Sequence, residues 1–205
     1  MQMKILVTGF EPFGGESRNP SAEAVEHLPD RIGGAEIVKL ILPVAGGRAS
    51  AILTEAVENF SPDVVLSVGQ AGGRAAVSVE RVAVNLDDYR IPDNDGHQPG
   101  EEPVVPGGPD GYFSTLPVQV IVDAIRKAGI PAAQSLSAGT FVCNHVMYTA
   151  GHLLATRYPA ARFGFIHIPF LPEQVLDKPG QPSMALELSQ KALEAAIEAI
   201  SGTNL

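Results

Sequence analysis

The sequence predicts an α/β fold: a single-domain, three-layer α/β/α sandwich around a twisted, largely parallel sheet. Three observations carry this. Short apolar runs ended by glycine or proline alternate with stretches of helical periodicity. The apolar runs lack an in/out alternation, as in strands covered on both faces. The 205 residues suit one domain able to bury a sizeable core, and no internal repeat or second domain is evident, so residues 1–205 are expected to form one unit.

The elements follow in order. Lys4 to Thr8, "KILVT", is an apolar run stopped by Gly9 and reads as a buried first strand. In "RNPSAEAVEHL", Asn19 is a good N-cap and Pro20 occupies the first helical position, so a helix to about Leu28 is expected. Glu36 to Leu42 reads as the second strand. "GGRASAILTEAVENF" places Ala49, Ile52, Leu53, Ala56 and Phe60 on one helical stripe. Asp63 to Gly69 is a third strand, "PVQVIVDAIRKAG" a helix closed by Gly129, and "RFGFIHI" a late strand. A helix follows Cys143, and the last one begins after Ser183 and closes at Gly202. Residues 86–115 break the pattern with many prolines and glycines, a long excursion of the kind that often carries function.

Composition narrows the function. The formal net charge is -9, with no lysine or arginine cluster, which argues against nucleic acid or an anionic membrane as partner. No apolar run approaches the length of a membrane span, and the start lacks a signal-peptide core. A soluble protein is expected. One cysteine, Cys143, allows no internal disulfide, which makes a reducing compartment, the cytoplasm, the expected location.

Several motifs invite chemistry. "GFEPFGG" after the first strand fits neither the dinucleotide nor the nucleotide-loop pattern. It is a tight turn, or a loop whose Phe10 and Phe13 face a small flat apolar ligand at the sheet edge where α/β folds bind. "IPDNDGHQPGEE" approaches a calcium loop through Asp93, Asp95 and Glu102, but Ile91 stands where the first carboxylate belongs, so a structured acidic turn is preferred. His145 and His152 lack the spacing of a zinc helix, and neither metal nor cofactor is expected.

Cys143 is the sharpest candidate. A free cysteine is most often a small buried hydrophobe. Here it lies between the turn "SAGT" and the helical "NHVMYTAGHLL", where unpaired backbone N–H groups and the helix dipole favour a thiolate and an adjoining oxyanion. A nucleophile needs a base. On a helix His145 lies about 200° around from Cys143, and His152 lies on the opposite side roughly 13 Å along the axis. His27 reads as a surface residue. His97, in the excursion, and His167, before Pro169 at a strand end, remain, and the strand end favours His167. Glu80 stands within the apolar "AAVSVERVAVNL". It suits either the carboxylate that orients the imidazole or an ion pair with Arg81 or another arginine.

These segments together resemble the type I pyroglutamyl peptidases, cysteine enzymes that remove an N-terminal pyroglutamate. The resemblance rests on "TGFEPFGG" with "NPS", "GQAGGR", "ERVAVNLDDYRIPDNDGHQP", "STLP", "SAGTFVCN" and "HIPFLPEQ", in order through most of the chain. It implies a Glu80, Cys143 and His167 triad, and an oxyanion site formed by Arg90 and the Cys143 backbone N–H. It also implies a lactam pocket in which Phe10 and Phe13 stack on the ring, with Asn19 and Gln70 as polar contacts. The substrates implied are N-terminally pyroglutamylated peptides, and the assembly a homodimer or homotetramer. An extra cysteine linking subunits, found in some members, has no counterpart here. Two other readings use the same residues: an inactive relative that binds cyclic amides, and a cysteine hydrolase of a different amide or ester.

Overall fold

A computed structural model describes residues 2–203. Its main sheet has seven strands: β1 (Lys4–Phe10), β2 (Arg31–Ile32), β3 (Ala35–Leu42), β4 (Val64–Gln70), β5 (Val77–Glu80), β8 (Ala132–Ser135) and β9 (Arg162–Ile168). Their order across the sheet is β2-β3-β1-β4-β9-β5-β8. β6 (Val82–Val84) and β7 (Gly111–Phe113) form a separate antiparallel pair that closes the excursion at both ends. The pairings β3–β1, β1–β4, β4–β9 and β5–β8 are parallel; β2–β3 and β9–β5 are antiparallel.

The helices are α1 (Pro20–Glu26), α2 (Gly46–Phe60), α3 (Val118–Lys127), α4 (Val142–Arg157) and α5 (Leu186–Gly202). α1, α3 and α5 cover one face of the sheet with a core that includes Ile5, Val7, Leu66, Val68, Ile121, Ile166 and Ile197. α2 and α4 cover the other, over Leu6, Phe10, Val65, Leu53, Met147, Phe163 and Phe165. Alternate residues of β1, β4 and β9 therefore enter opposite cores, which explains their unbroken hydrophobicity. The three layers match the sequence expectation. Asn19 caps α1, its Oδ1 accepting from the Ser21 N–H at 3.0 Å, and Pro20 starts the helix.

The sequence did not separate β5 from β6, and the direction of β5 matters for the site. Running antiparallel to β9, it places Ser78 opposite His167 and Glu80 opposite Phe165, all on the α2/α4 face. Glu80 and His167 are therefore diagonal neighbours, within reach of a long side chain across two strands.

Candidate active site

A row of residues at the C-terminal edge of the parallel strands forms the floor of the site. Gly69 of β4 is paired with His167 of β9. Phe10 of β1 lies level with them, two residues beyond the Thr8–Ser67 pair, and all three face α4. α4 starts at Val142 with Phe141 as N-cap, so Cys143 is its second residue. Its thiol descends onto Gly69: a Cβ there would lie 2.8 Å from Cys143 Sγ and 2.9 Å from the Phe165 ring. No other residue type fits beneath the sulfur. The thiol thus occupies the strand position beside His167, a place that exists because β4 has no side chain there.

His167 and Glu80 are buried, with relative exposures of 4% and 0%, and His167 Nδ1 lies 2.8 Å from Glu80 Oε1. Nδ1 therefore carries the proton donated to the carboxylate, and Nε2 is the basic nitrogen. Burial alone would raise the Glu80 carboxyl, but the hydrogen bond and charge of His167, helped by Arg74 and the nearby Ser135 hydroxyl, outweigh it and hold the group below its usual range. Burial lowers His167, against the pull of Glu80, so the resting pair is a carboxylate and a neutral imidazole.

The arginine that pairs with Glu80 is Arg74, whose Nη1 donates to Oε1 at 2.6 Å. Arg81, adjacent to Glu80 in the chain, instead lies over the Phe113 ring, 5.6 Å from its centre. One expectation is corrected at the thiol. The helix terminus was expected to favour a thiolate, but burial and the Glu80 charge push Cys143 up to about 12. Desolvation dominates the dipole. Both shifts favour a neutral thiol beside a neutral imidazole.

The first turn of α4 has no side-chain cap. The N–H of Cys143, as one of the first helical amides, has no intrahelical acceptor and is available to a developing oxyanion. The helix is anchored by Asn144, fully buried, which accepts from the Val84 N–H at 2.9 Å and donates to the carbonyls of Val84 and Leu86 at 2.9 and 3.0 Å.

Beside the thiol is a small cavity lined by Phe10, Phe13, Asn19, Val44, Gln70, Phe141, Val142 and Cys143. The Phe13 ring packs against Phe141 at 5.9 Å. Sequence reading named Phe10, Phe13, Asn19 and Gln70 but missed Phe141, Val142 and Val44. The run "TFVCN" carried the only signal, since residues flanking Cys143 at a helix start line its surroundings. Asn19 Oδ1 is taken by the Ser21 backbone and hydroxyl and its amide donates to the Glu11 carbonyl, so its main work is shaping the wall. Gln70 Oε1 accepts from Gln174 at 2.9 Å, while its own amide nitrogen has no partner among the described residues. Phe13 and Gln70 also border a larger open cavity of about 590 Å³ whose walls include Gly73, Arg90, Ile91, Phe170 and Lys178. Arg90 is exposed and faces this larger space; it does not line the small one.

The other histidines are engaged elsewhere. His145 Nδ1 meets Asp87 at 2.6 Å, His152 Nδ1 meets the Tyr112 hydroxyl at 3.0 Å, and His27 and His97 are exposed. The calcium-like segment is an acidic turn: Asp93 accepts from the backbone of Asp95, His97 and Gly46, and Asp95 pairs with Arg48. Among the described residues, no three His, Cys, Asp or Glu side chains converge as metal ligands would.

The pyroglutamyl peptidase family model matches residues 3–203. The chain belongs to the pyroglutamyl peptidase family. The pyrrolidone-carboxylate peptidase of Finegoldia magna is 56% identical over 198 residues, covering 97% of this chain and 93% of the relative. That of Erwinia tasmaniensis is 58% identical over 195 residues, with coverages of 95% and 91%. The crystal structure of pyroglutamyl peptidase I from Bacillus amyloliquefaciens superposes with a TM-score of 0.96 at 46% identity, covering 99% of this chain and 97% of that one. A pyrrolidone carboxyl peptidase variant from Pyrococcus furiosus gives 0.94 at 46%, with coverages of 99% and 100%. Like these relatives, the chain has the α/β fold and is a cysteine peptidase.

Proposed function

We infer that this pyroglutamyl peptidase uses Cys143 as nucleophile, His167 as general base and Glu80 as the group that orients the base, to release the N-terminal pyroglutamyl residue of peptides. The supporting observation is the thiol seated on Gly69 beside a buried imidazole–carboxylate pair, next to a small aromatic-walled cavity. As Sγ attacks the exocyclic carbonyl carbon of the pyroglutamyl residue, His167 Nε2 takes the thiol proton. The tetrahedral oxyanion is held by the Cys143 N–H, with the Arg90 guanidinium as the second donor, swinging in from the larger cavity. His167 then protonates the departing amine, leaving a thioester. Water, deprotonated by the same imidazole, releases pyroglutamate and restores the thiol.

Specificity follows from the lining. The lactam ring sits between Phe10 and Phe13, with Gln70 and the remaining Asn19 amide proton offered to its polar edge. The cavity contains no carboxylate, so an ordinary N-terminal ammonium would be desolvated without a partner. The leaving peptide extends into the larger cavity, which shares Phe13 and Gln70 with the small one.

The test is release of a fluorogenic amine from its pyroglutamyl amide, run beside the proline amide, before and after iodoacetamide. Turnover of the pyroglutamyl substrate alone, abolished by alkylating the single thiol, is expected. No turnover by folded, reduced protein would leave a cyclic-amide binder or a hydrolase of another bond. We further propose that residues 1–205 act as one domain, and that the enzyme works in the cytoplasm as a homodimer or homotetramer. The lone thiol suits that compartment, and cell fractionation and light scattering check both.

A further inference from the structure

We infer that Arg74 is a positioning residue of this site, a clamp that fixes the Glu80 carboxylate and ties it to the loop leading into the nucleophile's helix. The inference rests on the triad proposed above. Arg74 stands in the glycine-rich turn between β4 and β5. One arm, Nη1, donates to Glu80 Oε1 at 2.6 Å; the other, Nη2, donates to the Ser137 carbonyl at 3.1 Å, six residues before Cys143. The oxygen it holds is the one that His167 Nδ1 engages, while the buried Oε2 has no partner. Both ties therefore converge on a single oxygen, and removing the Arg74 tie leaves the carboxylate held by the imidazole alone and free to turn.

The charge environment is spare. The groups facing Glu80 are His167 from β9, Cys143 from α4, the Ser135 hydroxyl from β8 and Arg74 from the turn. Arg74 is the cation of this set; its side chain is 33% exposed and Glu80 is fully buried. It lines neither cavity, which separates it from substrate binding. Its charge also lowers both Cys143 and His167, opposing part of what burial and Glu80 do to the thiol.

Without that cation the Glu80–His167 pair must take up a proton at higher pH, whichever member holds it, and the base is lost there. Arg74→Met should lower kcat about 10- to 100-fold, as misplacement of a catalytic group does, with KM within about twofold. The acid limb of the kcat/KM profile should move up by about one pH unit. Arg74→Lys should restore most of that limb but not kcat, because one ammonium cannot span Glu80 and Ser137. If Arg74→Met does not fold by circular dichroism, Arg74→Gln carries the same test. An unmoved acid limb, or wild-type kcat, overturns the inference. Glu80→Gln, assayed in parallel, separates the two failures: wild-type turnover there sinks the triad itself, whereas a crippled Glu80→Gln beside a normal Arg74 variant sinks only the clamp.

Discussion

Two carboxylate–imidazole pairs flank Cys143, and by distance alone they are alike: Glu80 with His167 at 2.8 Å, Asp87 with His145 at 2.6 Å. Both are largely shielded from water. Their settings differ. His167 stands at a strand end beside Gly69, on which the thiol rests, and its carboxylate is gripped by Arg74. His145 is on α4 itself, two residues after Cys143 and turned toward the first residue of α2, where its Nδ1 would lie 3.2 Å from a Cβ added to Gly46. Asp87 is bound into the excursion by paired backbone hydrogen bonds with Glu102. A short contact between carboxylate and imidazole therefore does not by itself define a base; in the proposed mechanism the thiol seated on Gly69 beside His167 makes the difference.

The widest separation between the pairs is expected on removing the rings. His167→Ala should reduce kcat on the order of 10⁴-fold with the fold intact. His145→Ala should leave turnover within about threefold but cost about 1–3 kcal/mol in urea unfolding, because Asp87 keeps a buried charge without its partner. Altering the carboxylates should repeat the contrast on a smaller scale. Glu80→Gln should cost on the order of 10³-fold in kcat by favouring the wrong imidazole tautomer, whereas Asp87→Asn should mainly lower Tm by several degrees. Near-wild-type activity in Glu80→Gln, or a collapse in Asp87→Asn, would reverse the assignment.

Alkylation reads the thiol directly. With Cys143 pushed up to about 12, its iodoacetamide rate in the free enzyme should still climb about tenfold per pH unit near pH 9. A plateau below about pH 7 would reveal a resting thiolate and break the neutral-pair description.

The smallest effect concerns stability. His167 is depressed from 6.5 by burial, so between 6.5 and its folded value the unfolded chain binds a proton that the folded chain refuses, and stability falls with falling pH. Glu80 lies below 4.5, so its contribution is present above 4.5 and lost below it. Melting curves should drop in both windows, and His167→Gln should flatten the upper one.

Much of this was legible in the chain. The apolar runs gave β1, β3, β4 and β9, Asn19 and Pro20 marked α1, and the helix start exposed Cys143. The place of His167 at the end of β9 was legible because Pro169 ends the strand. What stayed hidden depended on register and long separation. "VSVE" runs straight into "RVAV", so neither the break at Arg81 nor the antiparallel direction that brings Glu80 to His167 has a local signature. The Asp87–His145 pair spans 58 positions, and only the folded excursion brings it together. The thiol's environment was misjudged for a related reason: the helix end is visible in the sequence, but the desolvation of a half-buried thiol seated on Gly69 beside the Glu80 charge is not.

Asn144 adds a consequence on the timescale of backbone opening. Its side chain holds the Val84 amide and the carbonyls of Val84 and Leu86, so the root of the proline- and glycine-rich excursion is stitched to the first turn of α4. The Val84 N–H should therefore exchange with deuterium as slowly as the interior of α4, despite belonging to a three-residue strand at the margin of the fold. Excursion and α4 should open together, as one cooperative unit, and Asn144→Ala should uncouple them, giving Val84 the rapid exchange of a loop.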